Sequence, residues 1–173
     1  MRAKCFLKRS LMDHERYMRR AIELAQQAES LGEVPVGAVI VHDHQIIGEG
    51  FNEVIRRNDP SAHAEAQAIR AAGQHLANYR LVDTTLYVSL EPCAMCAGLI
   101  VHARIKTVVF ATPDPRTGAT GTAIQVLNHP SMNHQVEVIS GVLQEQSATI
   151  LQNFFRKKRE LAKLKKFREK RVN

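Results

Sequence analysis

The stretch TTLYVSLEPCAMCAGLIVHARIKTVVFA, residues 84–111, decides the fold. Its ends, Thr84–Leu90 and Lys106–Ala111, are short runs rich in β-branched and aromatic residues and read as strands. Between them Pro92 suits the first turn of a helix spanning roughly 93–103, because its ring presets the helical φ and its missing N–H is not needed there. Strand, helix and strand in succession imply a sheet with helices packed on its faces.

Working toward the N-terminus, Val36–Val41 and Ile46–Phe51 flank the polar turn His42–Gln45 and read as a hairpin. Asp59-Pro60-Ser61 stops extended structure, and Ser61 is a suitable N-cap for an alanine-rich helix of about 62–72. Earlier still, Asp13 is placed to cap a helix whose apolar stripe is Met18, Ala21, Ile22, Ala25 and Ala28. Gly32 follows that helix where a left-handed C-cap favours glycine. Toward the C-terminus, Val136–Ile139 is a fifth strand, and one long helix begins at Leu143 with Phe154 and Phe155 as its core anchors. The segment Thr112–Gln135, rich in Gly, Pro, Asn and His, is too polar for core and reads as a functional or mobile connection. The expected fold is therefore α/β, with five strands made mixed by the opening hairpin.

A chain of 173 residues suits one domain. No apolar run nears the roughly 18 residues of a membrane span. Lys8 and Arg9 interrupt the only N-terminal apolar stretch, which excludes a signal peptide of ordinary form. The net charge of +7 is unevenly held: residues 156–173 carry +8, residues 1–9 carry +4, and the body between carries −5. Basic ends on an acidic body suit either phosphate contacts or simply solvated helix ends. The expected division is a disordered basic extension over 1–11, a catalytic domain over 12–159, and a basic helix end over 160–173.

Two short stretches carry the chemistry: Ala62-His63-Ala64-Glu65 and Glu91-Pro92-Cys93-Ala94-Met95-Cys96. Cysteines at i and i+3 share one helix face, and a helix N-terminus favours their thiolate forms. His63 also lies at a helix start. If the two helix starts meet, His63, Cys93 and Cys96 form a zinc site with three protein ligands, the number typical of catalytic zinc, which keeps one position for water. Glu65 is two residues from His63, so on an ideal helix the two point about 200° apart and face one site only beyond the helix end. There Glu65 is a proton carrier rather than a ligand, beside water whose pKa zinc lowers from about 9 to about 7. A thioredoxin-type Cys pair and a closed structural zinc, with a fourth ligand from Cys5 or another histidine, are the alternatives. His42, His44, His75 and His102 read as ordinary surface or core histidines.

The pairing of H-x-E with P-C-x-x-C is the signature of zinc nucleobase deaminases. Further stretches extend the likeness: Glu33-Val34-Pro35-Val36-Gly37-Ala38, Gly50-Phe51-Asn52, Asp59 to Glu65, Tyr87 to Cys93, Asp114-Pro115-Arg116-Thr117-Gly118-Ala119, Asn128-His129-Pro130 and Asn133-His134. Over about Met12–Arg159 the chain resembles the bacterial tRNA-specific adenosine deaminases of the cytidine/deoxycytidylate deaminase superfamily. The resemblance implies a three-layer α/β/α sandwich and a homodimer with one Zn²⁺ per subunit. Thiols that must stay free for zinc imply the reducing cytoplasm, and the lack of a long apolar run implies no membrane association. It implies hydrolytic conversion of adenosine to inosine at the wobble position of a tRNA anticodon stem-loop, chiefly of an arginine tRNA. Carried over by position, His63, Cys93 and Cys96 bind zinc and Glu65 moves protons. Asn52 and the backbone around Ala64 hold the flipped base, Asp114 touches the neighbouring sugar, and Arg156, Lys157 and Lys158 contact phosphates. Val54 and Pro113 depart from the family pattern, the latter standing where a basic residue is usual. Deaminases of free cytidine, deoxycytidylate or guanine, and a noncatalytic RNA-binding module with structural zinc, are the competing functions.

Overall fold

The apolar runs on either side of the Cys pair become two neighbouring parallel strands in the computed structural model, which describes residues 2–172, with side chains over 13–168. In chain order the elements are α1 (Arg2–Ser30), β1 (Gly37–His42), β2 (Gln45–Phe51), α2 (Val54–Arg57), α3 (Ala64–Leu76), β3 (Thr85–Leu90), α4 (Ala94–His102), β4 (Thr107–Thr112), β5 (Glu137–Ser140) and α5 (Gln144–Val172). The five strands lie in the order β2-β1-β3-β4-β5, antiparallel through β2, β1 and β3 and parallel from β3 to β5.

Central strands are apolar on both faces because helices cover both faces. Ala38, Ile40, Leu86, Val88, Val108 and Phe110 point toward α3 and α4 and pack with Ala64, Ala68, Ala97 and Ile100. The alternate residues Val39, Val41, Tyr87, Val109 and Ala111 pack with Met18, Ala21 and Ile22 of α1. The three expected layers are thus present, with α1 and α5 on one face and α3 and α4 on the other.

Tight approach fixes α3 on β2. A Cβ on Gly50 would meet the Ala64 carbonyl oxygen and lie 2.6 Å from Ala68 N. Gly50→Ala is therefore expected to lower stability by about 1–3 kcal/mol, the usual cost of overpacking, as read by urea denaturation. An unchanged midpoint contradicts this packing.

Several boundaries differ from expectation. The first helix begins at Arg2, so Asp13 lies inside it rather than capping its start. Its C-terminus is as expected: Gly32 has φ +81°, and Glu33 N–H donates to Ala28 O at 3.0 Å. Ser61 does not cap α3, because Asp59 captures it: Asp59 Oδ1 accepts from Ser61 N–H at 2.8 Å and Ser61 Oγ–H at 2.7 Å. The N-cap is His63 instead. The connection over 112–135 contributes to the core after all, since Ala119 and Leu127 are fully buried. Phe154 is buried on α5 as expected, whereas Phe155 is largely exposed.

Candidate metal centre and its surroundings

Two helices start at the residues that matter most. His63 is the N-cap of α3 and Cys93 the N-cap of α4, both with extended backbone and neither using its side chain to cap. Their side chains are thereby free to point beyond the helix ends, where they meet. His63 Nδ1 lies 3.7 Å from Cys93 Sγ and 3.7 Å from Cys96 Sγ. The three donor atoms fall within 4.8 Å of one another. A tetrahedral zinc with Zn–N and Zn–S bonds of about 2.0 and 2.3 Å requires N···S edges of about 3.6 Å, so the donor set fits that ion. Among the described residues no fourth His, Cys, Asp or Glu joins the group, and Cys5 lies outside the described side chains. A Cys pair this close to an imidazole also disfavours the thioredoxin-type reading.

Electrostatics support a metal-binding role. The hydrogen bond from Cys96 chiefly, and then that of His63, hold the Cys93 thiol down to about 4. The same Cys93–Cys96 bond, with burial, pushes Cys96 up. The bond to Cys93 raises His63. Glu65, in the first turn of α3, is only 3% exposed, and its Oε2 has no hydrogen-bond partner among the described residues. Burial pushes its carboxyl up to about 7. A buried carboxylate oxygen without a partner is costly, and its place is explained by chemistry at the adjoining donor cluster.

Asn52 closes the other side of the α3 start: its Oδ1 accepts from Ala64 N–H at 2.9 Å. The two residues expected to hold a base are thus hydrogen-bonded to each other. Behind them Glu33, 1% exposed, accepts from Ile55 N–H at 3.2 Å and Arg56 N–H at 2.8 Å, anchoring the short α2 that follows Asn52. Sequence reading gave Glu33 no role, although an acid within the apolar run EVPVGA signals a buried acceptor of backbone N–H groups.

Asp114 lies in the connection after β4. Its Oδ1 accepts from Arg116 N–H at 2.9 Å and its Oδ2 from Thr117 Oγ–H at 2.6 Å, which folds a tight turn. Arg156, Lys157 and Lys158 sit on the exposed part of α5. Lys157 pairs with Glu29 at 3.2 Å, and Lys158 donates to Gly32 O at 3.3 Å while lying over the Phe154 ring. Both lysines therefore tie α5 to the C-terminal end of α1.

Comparison with known proteins agrees with this geometry. The MafB19-like deaminase family matches residues 12–159. The chain is 52% identical to the tRNA-specific adenosine deaminase of Haemophilus influenzae over 153 residues, 88% of each chain. It is 45% identical to that of Bacillus subtilis over 159 residues, 92% of this chain and 97% of the relative. A solved structure from work on A-to-I editing by tRNA deaminases at the wobble position of transfer RNA has 39% identity and a TM-score of 0.77, covering 79% of this chain and 99% of that one. A guanine deaminase from Nitrosomonas europaea, at 21% identity and a TM-score of 0.71 over 81% of this chain and 83% of that one, shares the fold. No described helix is long and apolar enough to cross a membrane.

Proposed function

We propose, from the premise that this chain belongs to the MafB19-like deaminases and, among them, to the family of bacterial tRNA-specific adenosine deaminases, that it converts adenosine to inosine at the wobble position of tRNA anticodons, chiefly in an arginine tRNA. One observation carries the reading: a buried carboxylate, Glu65, with its Oε2 unpartnered among the described residues, stands beside the His63, Cys93 and Cys96 donor cluster. Zinc, one per chain, is the ion those donors suit, and it supplies the Lewis acidity that makes water nucleophilic near neutral pH.

Glu65 takes a proton from the attacking water as its oxygen bonds to C6 of adenine, and delivers that proton to N1. It then carries the second proton to the exocyclic amine, the C6–N bond breaks, and ammonia leaves. Asn52 and the Ala64 backbone hold the base at the α3 start, and Asp114 faces the neighbouring sugar. An unpaired loop base reaches such a recessed site at small cost, whereas a base inside a duplex does not. Arg156, Lys157 and Lys158 contact phosphates. The Lys157–Glu29 pair is exposed and so worth little, and a phosphate replaces it readily. The protein acts as a homodimer in the cytoplasm, where reducing conditions keep both zinc-binding thiols available.

The test compares ammonia release from an anticodon stem-loop, free adenosine, cytidine and guanine at equal concentration. The stem-loop is expected to react by far the fastest; preference for a free base or nucleoside contradicts the reading. Removal of residues 160–173 is expected to slow the stem-loop reaction several-fold, to flatten its salt dependence and to spare any nucleoside reaction. Equal loss on both substrates removes the RNA-binding role of that segment.

A further inference from the structure

We propose that Glu91, which is not a member of the metal donor cluster, is a positioning residue that holds the 113–122 loop against the metal-ligand turn and thereby sets the grip on the nucleotides beside the target base. The second half of this inference rests on the tRNA reading above; the first half does not.

Glu91 follows β3 directly and is 3% exposed. Both of its carboxylate oxygens are engaged, and every donor comes from the one loop. Oε2 accepts from Asp114 N–H at 2.9 Å. Oε1 accepts from Thr120 N–H at 3.1 Å, Thr120 Oγ–H at 2.6 Å and Thr122 N–H at 3.4 Å. Main-chain bonds extend the seam: Glu91 N–H donates to Thr112 O at 2.9 Å, and Ala119 N–H donates to Pro92 O at 2.9 Å. Gly118 pairs as an isolated bridge with Cys93, so the loop lies directly along the residue that presents one metal-binding sulfur.

Gly118 completes the cradle. A Cβ there would meet the Glu91 carboxylate and would lie 2.6 Å from Asp114 O. The loop therefore touches the carboxylate so closely that only glycine fits. An interior acid whose oxygens all accept from one loop has no other function in the packing: an apolar residue would serve a core position, and a loop left to water would not need it. Asp114, the residue expected to face substrate, is tied at its backbone to Glu91 and at its side chain to its own turn. Moving Glu91 moves Asp114.

Glutamine cannot replace this carboxylate, because one of its two ends presents donors to backbone N–H groups. Glu91→Gln is expected to raise KM for the anticodon stem-loop about tenfold or more, with kcat within about threefold of wild type and metal content unchanged. Amide hydrogen exchange over 113–122 is expected to quicken, while that of β3 and β4 is preserved. Gly118→Ala breaks the same contact from the loop side and is expected to give the same KM and exchange changes. The double variant is expected to be no worse than either single one, since both remove a single interaction. Thr120→Val, which deletes one bond and leaves the carboxylate, keeps the test open if Glu91→Gln does not fold; its expected KM rise is about threefold.

Three results overturn the proposal: unchanged KM and exchange in the variants, additive effects in the double variant, or loss of metal and kcat at constant KM, which assigns Glu91 to the metal site instead. Hydrogen exchange is read without substrate, so failure of the tRNA reading, seen as an inactive wild type, is distinguishable from failure of the loop-holding role.

Discussion

Glu65→Ala is expected to lower turnover by about 10²- to 10⁴-fold while zinc content, folding and RNA affinity stay as in the wild type. Two facts give this result its size. The carboxylate is buried beside the donor cluster, and its Oε2 has no partner among the described residues. Every proton released by water in the reaction must nevertheless pass to N1 or to the leaving amine, and Glu65 is the group within the site able to carry both. Metal analysis alongside single-turnover kinetics separates the outcomes. Loss of metal together with activity makes Glu65 a ligand or a scaffold residue. Retained activity removes it from the mechanism, and a noncatalytic zinc module then explains the site better.

Cys96→Ala is expected to abolish both metal binding and activity. Cys96 is fully buried and faces His63 Nδ1 at 3.7 Å, and among the described residues no fourth His, Cys, Asp or Glu joins the donor group. Two remaining ligands do not hold zinc in a catalytic geometry. Because an ion that binds only the folded chain stabilises it by mass action, the variant is also expected to lose about 3–4 kcal/mol of stability at metal concentrations a hundred to a thousand times Kd. Chelation of the wild type is expected to give the same losses, reversed on adding Zn²⁺, whereas the variant does not recover. A Cys96→Ala protein that keeps one zinc per chain contradicts the assignment.

What the sequence discloses follows from where the determining forces lie. Strands β1, β3 and β4 are dense β-branched runs, buried on both faces, so composition alone marks them. The candidate metal ligands are legible because zinc demands particular donor atoms and helix starts demand particular neighbours; His63, Cys93 and Cys96 meet as their spacing implies. Local competition hides other features. Ser61 is as good a cap as any residue in the chain, yet Asp59 takes its hydroxyl and the helix starts later, at the histidine. The hairpin turn places Asp43 and His44 at positive φ, a conformation that their positions near a polar run suggest but do not compel. Asp13 resembles a cap but stands within a longer helix.

Least legible are the buried acids. Glu33 and Glu91 stand within motifs whose letters are recognisable, but their partners, the first turn of α2 for Glu33 and the 113–122 loop for Glu91, fold against them from more than twenty residues away. Leu127 and Ala119 are hidden for the same reason, since their burial arises when a polar loop closes over the core on the α3 and α4 face of the sheet. Sequence therefore discloses which residues do chemistry more readily than which residues hold them in place.

The most direct test of the central claim is position-resolved detection of inosine, by nuclease digestion and mass spectrometry, in an arginine tRNA incubated with the zinc-loaded 173-residue chain. Inosine at the wobble position, absent with Glu65→Ala, is the expected result. No inosine from folded, zinc-loaded protein, or inosine spread over other adenosines, contradicts it.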